Sequence, residues 1–249
     1  MRAEDVKTIG LMGGGVMGGG IAQVLAAAGY RVVLRDISEQ VLAKTRSSVV
    51  DGRFGLKAGV ERGKLTEEQM QETIERIRFT VDAADLHDVD LLIEAIPEDL
   101  DLKRKVFAEL DSMVKPEAIF ATNTSGFAIA DLNQSVSRKS RFIGMHFFSP
   151  VPAMKLVEVI YSPETAEETV NCLMAICEKA GKIAIRVKDA TGKYGFVANR
   201  IYYAAVAEAR KVLEEGVASA EDINAAMCYG FNWPVGPLAM GAGVRTGWT

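Results

Sequence analysis

Few side chains in this sequence could move a proton, and their positions are informative. The chain holds two histidines. His87 lies in DLHDVD, a polar connection that reads as solvated surface. His146 lies in RFIGMHFFSPVPAMKLVEV, at the carboxyl end of an expected strand, which is where open α/β sheets bind ligands. An imidazole there could take the proton of an alcohol as it is oxidised, a task for a base with a pKa near neutrality. It could equally be a hydrogen-bonded core histidine. Glu158 bears on that choice. It interrupts the apolar run Leu156, Val157, Val159, Ile160, and a carboxylate on a buried strand is costly unless paired. Paired with His146 it would orient the imidazole and stabilise the imidazolium. The alternative turns Glu158 to solvent from an edge strand. A third group is ATNTSGFAI, residues 121–129, which follows an expected strand. Asn123, Thr124 and Ser125 could turn the chain and cap the next helix. The same place also suits a hydroxyl that touches a nicotinamide or a substrate.

Oxidation of an alcohol needs a hydride acceptor, and residues 7–36 point to one. They read KTIGLMGGGVMGGGIAQVLAAAGYRVVLRD. An apolar strand enters a glycine turn in which Gly13, Gly15 and Gly18 fit G-x-G-x-x-G. An Ala-rich helix follows, with Val16 and Met17 in its first turn, and a second strand ends at Asp36. Gly13 permits the tight turn, Gly15 lets the backbone approach a pyrophosphate, and Gly18 lets helix and strand pack closely. The helix N-terminus offers N–H groups and partial positive charge to the anion. Asp36 is placed to accept hydrogen bonds from a ribose and to repel a 2′-phosphate, which favours NAD over NADP. A glycine-rich turn in another α/β protein and an FAD protein are the competing readings.

These residues require a scaffold, and strands alternate with helices to supply one. Strands are expected at 7–12, 31–34, 78–81, 89–96, 118–122, 142–148, 154–161 and 183–187. Helices are expected at 39–59, 66–77, 102–113 and 165–179. The apolar run VDLLIEAI, 89–96, suits a strand buried on both faces of a parallel sheet. The alternation predicts an α/β fold: a doubly wound, Rossmann-type NAD-binding domain over 1–188. The rest, 189–249, reads as a smaller all-α domain with helices at 197–214 and 220–227, entered through DATGKYG. Its ending, GPLAMGAGVRTGWT, is Gly-rich and has no closing helix, as in a truncated chain or one completed by a partner subunit.

Composition excludes several classes. With 249 residues and a net charge of −4, the chain has room for a sizeable core and no basic surface for nucleic acid or anionic membrane. No apolar run reaches membrane-spanning length. Six residues before the first strand leave no room for a leader peptide. The three cysteines, Cys172, Cys177 and Cys228, fit reduced thiols in a cytoplasmic compartment. Cys172 and Cys177 read as buried small hydrophobes, and no metal is expected.

The stretches GLMGGGVMGGGIA, IEAIPEDLDLKRKVFAELD, ATNTSGFAI, GMHFFSPVPAMKLVEV, GFVANR and GFNWPVGPL together carry a family likeness. From about residue 7 to 238 the sequence closely resembles the L-3-hydroxyacyl-CoA dehydrogenases, including the short-chain 3-hydroxybutyryl-CoA enzymes. The resemblance implies reversible, NAD-linked oxidation of an (S)-3-hydroxyacyl-CoA to a 3-oxoacyl-CoA. His146 would be the base, Glu158 its partner, and Ser125 would hydrogen-bond the 3-oxygen. Asn199, in GFVANR, would help position the acyl thioester. Asp36, Glu98 and Lys103 would contact the cofactor beside the glycine turn. Without the resemblance, Glu98 and Lys103 read as surface charges at a helix start. The helix at 39–59 would help hold the CoA nucleotide, although its Arg53 and Lys57 read better as a solvated face. A homodimer through the C-terminal helices is implied too.

The sequence also departs from the family. HFFSP stands where HFFNP is usual, so Ser149 replaces an asparagine near the nicotinamide. DATGKYGF stands in place of DxPGF. The C-terminal ending differs as well. Two other readings compete: a 3-hydroxyisobutyrate-type dehydrogenase, which shares the glycine-rich opening, and a non-catalytic dinucleotide-binding or crystallin-like structural protein. HFFSP speaks against the first, and the joint presence of Ser125, His146, Glu158 and Asn199 against the second.

Overall fold

The computed structural model describes residues 1–190 and 192–239. The chain divides after Tyr194 into two compact units. In the first, β1 (Thr8–Met12) leads through the glycine turn to α1 (Val16–Ala27) and β2 (Arg31–Arg35). Next come α2 (Glu39–Asp51), α3 (Leu56–Glu61), α4 (Glu67–Glu75) and β3 (Ile77–Thr80). Then follow β4 (Leu91–Glu94), α5 (Leu100–Met113), β5 (Ile119–Thr122), the short α6 (Ile129–Leu132) and β6 (Phe142–Phe147). The unit ends with β7 (Leu156–Tyr161), α7 (Glu167–Lys179) and β8 (Ile183–Lys188).

The strands form one eight-stranded sheet in the order β3-β2-β1-β4-β5-β6-β7-β8. From β3 to β6 every pairing is parallel. β7 runs antiparallel to β6, and β8 parallel to β7. The order reverses between β1 and β4, the switch point at which doubly wound sheets open a crevice. Both faces of the sheet are covered. Ile9, Leu11, Ile93, Ile119 and Met145 belong to one buried cluster with Ile21 and Leu25 of α1 and Leu173 and Ile176 of α7. On α5, Phe107 meets Phe142 edge-on, with centroids 4.8 Å apart, and Phe120 at 5.9 Å. Burial on both faces explains the near-continuous apolar strands. It also buries Cys172 and Cys177 on α7, where desolvation pushes the thiols up to about 11 and about 12.

The single helix expected at 39–59 is two helices. Gly52 ends α2 and Gly55 begins α3. A Cβ at either glycine would run into the carbonyls of the preceding turn, so the chain can bend there only because these residues lack one. Strand β4 is also shorter than expected. Asp90 does not continue it but accepts the N–H groups of Lys7 and Thr8 at 2.8 and 2.9 Å.

In the second unit, α8 (Ala198–Glu214) and α9 (Ala220–Phe231) form a helical pair. Ser219 caps α9 by accepting the Asp222 N–H at 3.1 Å, and Asn232 closes it in the left-handed conformation. Residues 240–249 of the Gly-rich ending lie outside the described residues.

Candidate active site

The antiparallel register of β6 and β7 sets His146 directly opposite Glu158. Opposed residues project on the same face of a sheet, close enough to pair. His146 Nδ1 lies 2.8 Å from Glu158 Oε2. The imidazole is 5 % exposed and the glutamate fully buried. β8 flanks β7, so Glu158 is not on an edge strand and does not reach solvent. A buried carboxylate at Nδ1 favours the tautomer with its proton there, which leaves Nε2 as the acceptor nitrogen of the neutral imidazole. The Phe148 ring packs on the imidazole at 4.4 Å. Asn123 at the end of β5 accepts the Phe147 N–H at 2.9 Å and ties the two strand ends together. His87 is surface, 2.8 Å from Asp88.

The 121–129 stretch turns the chain as expected. Thr124 Oγ1 accepts the N–H groups of Gly126 and Phe127, which is the turn-forming role. Ser125 remains part-exposed and is held by Glu98. Glu98 Oε1 accepts from Thr124 Oγ1 at 2.6 Å, from the Ser125 N–H at 2.8 Å and from Ser125 Oγ at 3.1 Å. Tyr194 joins the same group, its hydroxyl 2.6 Å from Ser125 Oγ and 3.3 Å from Glu98 Oε1.

Behind Glu98 lies a buried charge cluster. Lys103, on the first turn of α5, is only 1 % exposed and not a surface charge. Its Nζ sits 2.5 Å from Glu94 Oε1, 3.2 Å from Glu98 Oε2 and 3.2 Å from the Ile96 carbonyl, which accounts for its three donors. Glu94 also accepts from Thr122 Oγ1 at 2.7 Å and from the Ile96 N–H at 2.8 Å. Burial pushes the Glu94 carboxyl up, against the pull of Lys103. For Glu98 burial pushes the same way, but Thr124, Lys103 and the Ser125 N–H together hold the carboxyl below the usual range.

The glycine turn is shaped for an anion. Gly13 has φ +108°, and a Cβ there would meet the Ala95 carbonyl. A Cβ at Gly18 would collide with the Gly13 carbonyl, whereas at Gly15 it would meet only open space. α1 begins at Val16 with no side-chain cap and no acid in its first turn, which suits the N–H groups of Val16 and Met17 to an anion. Asp36 Oδ2 accepts the Gly14 N–H at 2.7 Å and Oδ1 the Ser38 N–H at 3.1 Å. Each oxygen keeps a lone pair for a ribose hydroxyl. These residues fit a dinucleotide.

The family model of the 3-hydroxyacyl-CoA dehydrogenase NAD binding domain matches residues 8–190. That of the 3-hydroxyacyl-CoA dehydrogenase C-terminal domain matches 195–248. The chain belongs to the 3-hydroxyacyl-CoA dehydrogenase family. It is 40 % identical over 238 residues to the mitochondrial hydroxyacyl-coenzyme A dehydrogenase of Rattus norvegicus, covering 94 % of this chain and 75 % of that protein. A probable 3-hydroxybutyryl-CoA dehydrogenase of Deinococcus radiodurans is 42 % identical, with 93 % and 81 % covered. The solved (S)-3-hydroxybutyryl-CoA dehydrogenase of Ralstonia eutropha superposes with a TM-score of 0.90 at 41 % identity, over 94 % of this chain and 81 % of that one.

Within this dehydrogenase fold the first unit holds His146, Glu158, Ser125, Glu98, Lys103, Asp36 and the glycine turn. Ser149 is exposed in the turn after β6. Asn199 belongs to the second unit, in the first turn of α8. Arg53 and Lys57 are exposed, with Lys57 paired to Asp51 at 2.5 Å. Two site residues escaped the sequence reading. Glu94 carried the same mark as Glu158, an acid inside an apolar strand. Tyr194 carried none, because its contact spans 69 residues.

Proposed function

We propose that this chain catalyses the reversible oxidation of (S)-3-hydroxyacyl-CoA thioesters, such as 3-hydroxybutyryl-CoA, to 3-oxoacyl-CoA, and that His146 and Glu158 carry the proton transfer. The observation behind this reading is the buried 2.8 Å His146–Glu158 pair at the carboxyl end of β6. His146 Nε2 takes the 3-hydroxyl proton as the C3 hydride leaves, and returns it in the reverse direction. Glu158, fixed on Nδ1, stabilises the imidazolium that forms. Ser125 donates to the 3-oxygen, and Asn199 positions the acyl thioester. NAD, when bound, supplies the hydride acceptor. Gly13, Gly15 and Gly18 admit its pyrophosphate to the N-terminus of α1, Val16 and Met17 line that turn, and Asp36 takes the ribose. Glu98 and Ser149 would contact the cofactor near its nicotinamide, and Lys103 would act through Glu98.

The same reading makes the enzyme a cytoplasmic homodimer. Three free cysteines support a reducing compartment. Among the described residues no helix is long and apolar enough to cross a membrane. Exposed Ile201, Tyr203, Tyr229 and Phe231 on α8 and α9 support a partner for those helices.

The test is NADH consumption with acetoacetyl-CoA. Wild type should turn over, and His146→Ala should lose at least about 100-fold, the low end for removing a general base. A wild type that binds NADH without turning over would overturn the reading in favour of a binding protein.

A further inference from the structure

Tyr194 lies in the stretch 191–194, which neither family match covers and where DATGKYGF replaces the usual DxPGF. Its side chain reaches the candidate site all the same. The ring packs edge-on against Phe127, with centroids 5.8 Å apart and planes at 86°. Gly192 and Gly195, both at positive φ, bracket Lys193 and Tyr194 and permit the bends on either side. The tyrosine is still 52 % exposed, and Ser125 beside it is part-exposed.

Counting protons shows what the contact can do. The hydroxyls of Ser125 and Tyr194 carry one proton each, and the Glu98 carboxylate can only accept. Both hydroxyls lie within reach of Glu98 Oε1 and of one another. When Ser125 turns its proton to a substrate oxygen, its own oxygen loses nothing if Tyr194 donates to it. Ser125 has one proton to give, to Glu98 or to the substrate, and a hydrogen bond accepted from the phenol makes it a stronger donor to whichever oxygen it meets.

We propose that Tyr194 is a positioning residue for the dehydrogenation: its O–H donates to Ser125 Oγ and strengthens the hydrogen bond that Ser125 gives to the substrate's 3-oxygen. The inference rests on the dehydrogenase reading above. Hydrogen bonds in series polarise one another, so the chain from Tyr194 through Ser125 to the 3-oxygen strengthens as that oxygen gains negative charge. An interaction that grows toward the transition state raises kcat and leaves KM nearly alone.

Tyr194→Phe keeps the ring and its contact with Phe127 and removes only the oxygen. Acetoacetyl-CoA reduction would be followed in wild type, Tyr194→Phe, Ser125→Ala and the double variant. The expected result is a loss of about 3- to 10-fold in kcat, the worth of one neutral hydrogen bond. KM for acetoacetyl-CoA should stay within about twofold. Adding Tyr194→Phe to Ser125→Ala should cost nothing more, because the pair then has no coupling left to lose. A kcat at or above wild type, the behaviour of a tyrosine that only covers Ser125 until substrate arrives, overturns the inference. So does a loss confined to KM, or an equal loss in both backgrounds. An inactive wild type would bring down the dehydrogenase reading and this inference together. An active wild type with an indifferent Tyr194→Phe brings down this inference alone.

Discussion

A histidine becomes a useful base when something fixes its tautomer and welcomes the charge it acquires. In the proposed mechanism Glu158 does both for His146, and the two functions separate under substitution. Glu158→Gln keeps an oxygen and the side-chain shape but removes the negative charge, and its amide can present an N–H to Nδ1 and reverse the tautomer. The expected loss in kcat is about 100- to 10,000-fold, the span from losing acid–base catalysis alone to misplacing the proton. NADH affinity, read by fluorescence titration, should be unchanged, because neither residue belongs to the nucleotide turn. Equal damage to NADH binding would mean that Glu158 holds the strand ends together and does not serve the imidazole. At this scale the sequence was legible wherever a residue type contradicted its surroundings. An acid inside LVEVI had to be either paired or turned to solvent from an edge strand, and the base that could pair with it at a strand end was His146. Serine and threonine in NTSG gave no such contradiction. Both hydroxyls meet a carboxylate 26 or 27 positions earlier, and their division of labour, Thr124 turning the chain and Ser125 staying part-exposed, depends on that distant contact.

Elements become functional here through the charge cluster that joins β4 to α5. Glu94 ends β4 at the sheet's switch point, Lys103 enters from α5, and Glu98 on the connection between them holds the Ser125 turn. Lys103→Met leaves two carboxylates facing each other with one already buried. Breaking a buried pair from one side costs about 3–5 kcal/mol, to be read as a lowered denaturant midpoint at neutral pH. Adding Glu94→Gln should recover most of it. The pH dependence has a definite sign. Glu94, already raised in the wild type by burial, rises further without Lys103. A carboxyl whose folded pKa lies above its unfolded one loses its favourable contribution as pH climbs through the folded value. Glu98 in the wild type is the opposite case: held low, it stabilises above the unfolded carboxylate pKa and stops doing so as pH falls through the folded one. Both effects narrow the gap between Lys103→Met and wild type as pH falls into the acid range, and a gap constant with pH would sink this account. Strands and the glycine turn were legible because their patterns are local: apolar runs for strands buried on both faces, fixed spacing for the turn. The break between α2 and α3 was marked by Gly52 and Gly55 but hidden by helical periodicity on both sides. The reversed direction of β7 and the pairing of Lys103 with Glu94 were not local at all, since each depends on what packs beside it.

On the scale of the whole molecule, the described helices of the second unit leave several large apolar side chains exposed. α8 and α9 form a short helical pair whose own core among the described residues includes Val206, Ala209 and Ile223. Against that small core stand Tyr229 at 92 % and Phe231 at 74 % exposure, near the end of α9, together with exposed Ile201 and Tyr203 on α8. Single exposed apolar residues are ordinary, but several large ones on two neighbouring helices mark an interaction surface. A second copy of the same chain offers the same surface, and a two-fold contact lets one patch satisfy another. Sedimentation should therefore give twice the chain mass for the wild type. Tyr229→Ser with Phe231→Ser should shift it to the single-chain mass at micromolar concentration. The first unit's sheet, and with it NADH binding, should survive, because neither residue belongs to the glycine turn or to the β6–β7 pair. If the double variant stays dimeric, the apolar ends of α9 are not the contact. If the wild type is a monomer, the exposed residues need another partner and the homodimer proposal fails.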